Sequence, residues 1–138
     1  MTETTGSCHC GQIKYSVAGP VVQVVACHCG LCRGMTGAAF ATYVVVQTEH
    51  FHVTRGRESL AGYAVSERTT RHFCSHCGTP IYNSNPATYE GLTMLYLGTL
   101  VGHERFAPRI DLFCESKLPW VSVNEASKRF ERAPVRAG

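Results

Sequence analysis

Cys27-His28-Cys29-Gly30-Leu31-Cys32 places three thiols within six residues of the 138-residue chain. Two shorter stretches flank it, Cys8-His9-Cys10 ahead and Cys74-Ser75-His76-Cys77-Gly78 behind. A tight Cys-x-x-Cys turn aims both sulfurs at one ion, and Cys-x-Cys can do the same from a bent strand end, so all three stretches read as metal knuckles. They hold two, three and two thiols, and seven sulfurs cannot complete two four-cysteine sites. Several partitions satisfy the spacing. The most economical joins Cys8 and Cys10 to Cys74 and Cys77 in a closed structural zinc site. It leaves Cys27, Cys29 and Cys32 together, with a fourth position for water or a substrate atom. The competing arrangement completes the middle cluster with a histidine such as His28, His50, His52 or His72.

Working outward, the knuckles are spaced by strand-like sequence. Gln12 to Val17 alternates polar and apolar residues, Val21 to Ala26 is β-branched, and Ala38 to Val46 is a continuous β-prone run expected to be buried on both faces. Arg55-Gly56-Arg57 reads as a hairpin turn and Leu60 to Ser66 as a strand. Arg71-His72-Phe73 and Pro80 to Asn83 bracket the third knuckle as the arms of a zinc-ribbon-like hairpin. Leu92 to Leu97, Arg109 to Phe113 and Trp120 to Val123 supply further strands. Gly34 to Gly37 is turn material, and only Asn124 to Phe130 looks helical, with Asn124 as its N-cap. The chain is expected to be mainly β, one domain over residues 1–131 with a loose tail over 132–138.

Composition excludes several classes of function. The net charge of +3 is small and the basic residues are scattered, which is not the dense positive face of a nucleic-acid binder. The first seven residues carry no basic-then-apolar signal, and Tyr43-Val44-Val45-Val46 is too short to span a bilayer, so no membrane partner is expected. Eight cysteines at short, patterned spacings suit metal ligation in a reducing cytoplasm better than a disulfide framework.

The motifs together are similar to one family. Cys8-His9-Cys10-Gly11, Cys27 to Arg33, Gly37-Ala38 with Phe40, and Arg71-His72-Phe73-Cys74-Ser75-His76-Cys77-Gly78-Thr79 resemble the glutathione-dependent formaldehyde-activating enzymes, or centromere protein V/GFA domain. The likeness runs on through Gly98-Thr99-Leu100, Pro108, Ser116 to Trp120 and Phe130. It implies an Mss4-like fold of several coiled antiparallel β-sheets and two zinc ions per chain, partitioned as above. It also implies a carbon–sulfur lyase activity that adds glutathione to formaldehyde to give an S-hydroxymethyl adduct, with a small-molecule thiol and aldehyde as partners. Two places depart from the usual pattern: Val101 stands where members often carry Asp, and Asp111 where they often carry His.

In this scheme Cys27, Cys29 and Cys32 form the catalytic site, and Arg33, directly after it, is the expected substrate-binding cation. Arg55, Arg57, Arg68 and Arg71 are further candidates for a substrate carboxylate, each otherwise a solvated surface charge. Tyr63 and Trp120 are expected in the core. Cys114 reads as a buried small hydrophobe on a strand. Two alternatives belong to other classes: a non-catalytic zinc-stabilised binding module, and a thiol reductase with Cys114 as nucleophile.

Overall fold

The computed structural model describes residues 3–133. The chain forms β1 (Thr4–Ser7), β2 (Lys14–Val17), β3 (Val21–Cys27), α1 (Gly30–Thr36), β4 (Ala41–Gln47) and β5 (Phe51–Arg55). There follow β6 (Leu60–Ala64), β7 (Thr70–Cys74), β8 (Pro80–Ser84), β9 (Leu92–Tyr96), β10 (Ile110–Leu112) and β11 (Lys128–Arg129). Strands β1, β2 and β5 make a small antiparallel sheet. The other eight make a large sheet in the order β11-β10-β3-β4-β9-β8-β7-β6. Its pairings are antiparallel except β3 with β10 and β10 with β11, which are parallel. The mainly β architecture with knuckles at strand ends is the one expected from the sequence.

Strand β4 organises the large sheet because it is apolar on both faces, as a strand covered from two sides must be. Val44 and Val46 point into a core shared with Val24, Leu95 and Ile81, and with Ile13, Tyr15 and Val17 from the small-sheet side. Ala41 and Tyr43 join a second cluster with Cys27, Cys32 and Tyr96. Each large side chain buried in this way contributes roughly 1.5–3 kcal/mol. The face that carries Tyr43 therefore brings the middle knuckle onto a packed floor.

Arg55-Gly56-Arg57 does not close a hairpin: β5 pairs with β2 and β6 with β7, so this turn carries the chain from the small sheet to the large one. The crossing brings Gly56, at φ 78°, so close to Gln12 that a Cβ would lie 2.0 Å from its carbonyl oxygen. Left-handed backbone costs a non-glycine residue about 1–2 kcal/mol, and the collision is with main chain that cannot swing aside. Gly56→Ala is expected to lower stability by about 2–4 kcal/mol, seen as a Tm lower by roughly 7–14 °C in a thermal melt.

Other expectations are corrected. Residues 30–36 form a short α-helix rather than a turn, because the Cys29 sulfur caps it by accepting from the Cys32 N–H at 3.3 Å and Gly37 closes it at φ 72°. Asn124 to Phe130 is not helical. Asn124 Oδ1 instead accepts from Ala126 N–H in a turn, and Lys128 and Arg129 pair with β10. Residues 120–123 form no strand, since the Lys117 ammonium donates to the carbonyls of Leu118 and Val121 and holds the chain in a turn. Trp120 is 72% exposed and Tyr63 63%, so neither belongs to the core. Cys114 lies just past β10 in a half-buried turn, not on a strand. Arg132, the first residue of the expected tail, pairs with Glu115 at 2.9 Å. Residues 134–138 lie outside the described residues.

Candidate metal centre

The outer knuckles meet. Cys8 and Cys10 sit between β1 and β2, Cys74 ends β7, and Cys77 lies in the turn before β8. Their four sulfurs all lie within 4.8 Å of one another, although Cys10 and Cys74 are 64 residues apart in the chain. The Ile13 N–H donates to Cys8 Sγ at 3.3 Å, and the Thr79 hydroxyl lies 3.1 Å from Cys77 Sγ. Hydrogen bonds from Thr79 draw the Cys77 thiol down to about 5. Four soft donors already clustered, with hydrogen bonds to the sulfurs in place, fit a tetrahedral zinc ion closed to solvent ligands.

The middle knuckle stays apart from the outer two. Cys27 ends β3, Cys29 caps α1 and Cys32 lies in its first turn, and the three sulfurs lie within 4.8 Å of one another. No histidine, aspartate, glutamate or further cysteine joins them among the described residues. The histidines considered for a fourth ligand are engaged elsewhere. His28 turns to Asp111, His50 lies against Gly19, His52 is exposed on β5, and His72 stacks on Tyr82 while its Nε2 lies 2.8 Å from the Ser84 hydroxyl. Three soft sulfur donors fit a thiophilic ion such as zinc and are one short of its usual four.

A buried polar chain ends on this knuckle. The Tyr96 hydroxyl donates to Asn83 Oδ1 at 2.9 Å, and Asn83 Nδ2 donates to the Tyr43 oxygen at 3.2 Å. With its oxygen already accepting, the Tyr43 hydroxyl is free to donate to Cys32 Sγ, 3.3 Å away. The Cys27 thiol lies in position to donate to Cys29 Sγ at 3.5 Å, and hydrogen bonding from Cys27 first, then from Tyr43, draws the Cys32 thiol down to about 6 against its burial. Giving the hydrogen bond to Cys32, and being buried, pushes Cys27 up. The chain thus aims its donors at one sulfur and offsets part of the charge that three thiolates accumulate. The sequence placed Tyr43 in a buried strand and Asn83 at the end of a hairpin arm, with nothing to link either to the knuckle. The available signal was the place of Asn83 two residues after Ile81, both of them buried in β8.

Without the Tyr43 hydroxyl, the Cys32 thiol rises toward its ordinary range and a metal must displace a more tightly held proton. Tyr43→Phe is therefore expected to weaken metal binding at the middle knuckle by about tenfold, leaving the four-cysteine site unchanged. Competition against a chromophoric chelator measures both.

Behind the knuckle, Asp111 is 3% exposed and bridges two segments. Its Oδ1 lies 2.7 Å from His28 Nε2, and its Oδ2 accepts a short hydrogen bond from Ser127. The His28 N–H donates to the Leu112 carbonyl at 3.0 Å, and its ring packs on Phe40 at 5.1 Å. Arg33 Nη1 donates to the carbonyls of His28 and Ser116. These contacts tie the metal loop to β10 and the segment after it, so Asp111 and Arg33 both hold the loop in position. Cys114 Sγ donates only to the Asp111 carbonyl, at 3.6 Å, and burial raises its pKa, the reverse of what a nucleophilic thiol needs.

Comparisons with known proteins bear on the family and the fold. The model of the glutathione-dependent formaldehyde-activating enzyme family matches residues 3–116. A protein of Halomonas elongata, provisionally named as such an enzyme, is 26% identical over 124 residues, 86% of this chain and 79% of that one. A Fusarium vanettenii protein with the same provisional name is 32% identical over 75 residues, 54% of this chain and 40% of its own length. A crystal structure of a Rhodobacter sphaeroides protein superimposes with a TM-score of 0.59 at 22% identity, covering 71% of this chain and 88% of that one, and speaks for the fold alone.

Proposed function

This chain belongs to the glutathione-dependent formaldehyde-activating enzyme family, and we propose that it joins glutathione, or a similar thiol, to formaldehyde or another small aldehyde at Cys27, Cys29 and Cys32. The observation that carries the proposal is the contrast between the two clusters. One has four sulfurs and needs nothing more, while the other has three and no fourth protein ligand. Zinc held by Cys27, Cys29 and Cys32 would favour the deprotonated form of a substrate thiol brought to its fourth position.

The bond changes need no oxidant or reductant. The thiol sulfur attacks the carbonyl carbon and a carbon–sulfur bond forms. The carbonyl π pair moves to oxygen, which takes up the proton that the thiol released, leaving an S-hydroxymethyl thioether. The reverse is the carbon–sulfur lyase reaction. The chain's own part is to hold three sulfurs rigidly on a strand end and a capped helix turn, to exclude water behind them with Asp111 and His28, and to bond Cys32 through Tyr43. A closed four-cysteine zinc site would supply the second metal, in a structural role. Eight cysteines, seven of them at metal-knuckle spacings, suit work in a reducing cytoplasm.

Exchange spectroscopy by NMR on mixtures of formaldehyde and glutathione tests the proposal. Zinc-loaded protein is expected to accelerate exchange between free formaldehyde and the adduct, and chelation to abolish the acceleration. No acceleration at full zinc content would leave the chain a zinc-stabilised binding module.

A further inference from the structure

A thiol substrate that carries carboxylates can be held by more than its sulfur, and the large sheet offers a half-buried cation for that purpose. Strands β7 and β8 pair so that Arg71 stands directly opposite Asn83, and Asn83 in turn stands opposite Met94 of β9. Residues directly opposite in an antiparallel pair project from the same face. Asn83 is the middle of the hydrogen-bonded chain that ends on Cys32. Arg71 therefore lies one strand beyond that chain, on the face that carries the open cysteines.

Arg71 is one strand spacing, about 4.8 Å, from Asn83, and the contacts from Asn83 to Tyr43 at 3.2 Å and from Tyr43 to Cys32 at 3.3 Å cover the rest, so the arginine stands on the order of 10 Å from the Cys32 sulfur. A thiol and a carboxylate within one short peptide are separated by a similar length, at about 3.4 Å per extended residue.

Arg71 also lacks what a half-buried arginine normally has. Its Nε is buried with no hydrogen-bond partner, and no carboxylate lies within ion-pair distance of it among the described residues. Its recorded neighbour is the Phe73 ring, 5.2 Å from the guanidinium carbon. The other candidate arginines differ. Arg33 bonds main-chain carbonyls, while Arg55, Arg57 and Arg68 are exposed. A buried guanidinium nitrogen without a partner is unfavourable, and the planar fork matches a carboxylate with two parallel hydrogen bonds.

We infer that Arg71 receives a carboxylate of the thiol substrate, making it the residue that selects a peptide-like anionic thiol over a neutral one. The inference rests on the thiol-plus-aldehyde reading but is tested apart from it. S-methylglutathione keeps both carboxylates and has no free thiol, while its diester has neither. Calorimetric titration of each into zinc-loaded protein is compared for the parent, Arg71→Gln and Arg71→Lys, alongside turnover with glutathione and with 2-mercaptoethanol.

The parent is expected to bind S-methylglutathione at least tenfold more tightly than the diester. Arg71→Gln should lose that preference and raise the KM for glutathione about tenfold or more, with kcat and the rate with 2-mercaptoethanol unchanged within about threefold. If Arg71→Gln loses zinc, Arg71→Lys decides, and a severalfold weakening confined to the carboxylate ligand is expected. Parent-like preference in a folded variant, equal loss with both thiols, or a parent that does not prefer S-methylglutathione would overturn the inference. A parent that binds S-methylglutathione selectively but accelerates adduct formation with neither thiol would instead sink the proposed reaction and leave Arg71 as an anion site.

Discussion

Serine in place of Cys29 is expected to reduce adduct formation by at least about 100-fold and to remove one of two bound zinc ions, while leaving the fold intact. Cys29 has two roles that this substitution separates. Its sulfur stands with those of Cys27 and Cys32 as a soft donor, and it also caps α1 by accepting from the Cys32 N–H. A serine oxygen is a good helix cap, so the loop keeps its shape, but it is a harder and more weakly bound ligand for zinc than a thiolate. Metal analysis, a thermal melt and the exchange experiment on one preparation test all three parts. Full turnover with full zinc content in Cys29→Ser would mean that the middle knuckle is not the reactive site.

Cys74→Ser is expected to act on the whole fold. Cys74 is fully buried in the middle of the chain and its partners Cys8 and Cys10 lie near the N-terminus, so this cluster brings the small sheet to the β7–β8 hairpin. Structural zinc contributes roughly 10–16 kcal/mol to folding in small zinc peptides. This chain has its own core, so a smaller share, about 5 kcal/mol or more, should be lost. That corresponds to a Tm lower by more than about 15 °C, and parent protein held in a strong chelator should melt as early as the variant. A variant that melts with the parent would remove the structural role from this cluster.

The cysteine groups were legible in the sequence because metal knuckles are local. Two or three cysteines in one turn announce themselves, and the most economical partition of the seven thiols is the grouping into four and three that the structure holds. Val44 to Val46 was legible for a similar reason, since a continuous β-branched run has few other uses. What escaped was set by partners distant in sequence. The helix over residues 30–36 holds two glycines and is capped by a sulfur, which no propensity scale rewards. Ser127 sits in an apparently helical segment but is drawn to Asp111, and Asp111 itself looked like a missing histidine until its bond to His28 was visible. Arg33 looked like a substrate cation from its place beside the cysteines, whereas the ladder shows Arg71 facing Asn83. Trp120 and Tyr63 were assigned inside on residue type, and both are exposed.

We propose that one cluster is complete and that the other accepts a ligand from solution. Cadmium-113 NMR on protein loaded with two cadmium ions tests it directly, because the resonance position reports the donor set of each ion. Two resonances are expected, with glutathione moving only the one that disappears in Cys29→Ser. Two resonances that both ignore glutathione, or a single resonance from a chain that cannot take a second ion, would contradict the account.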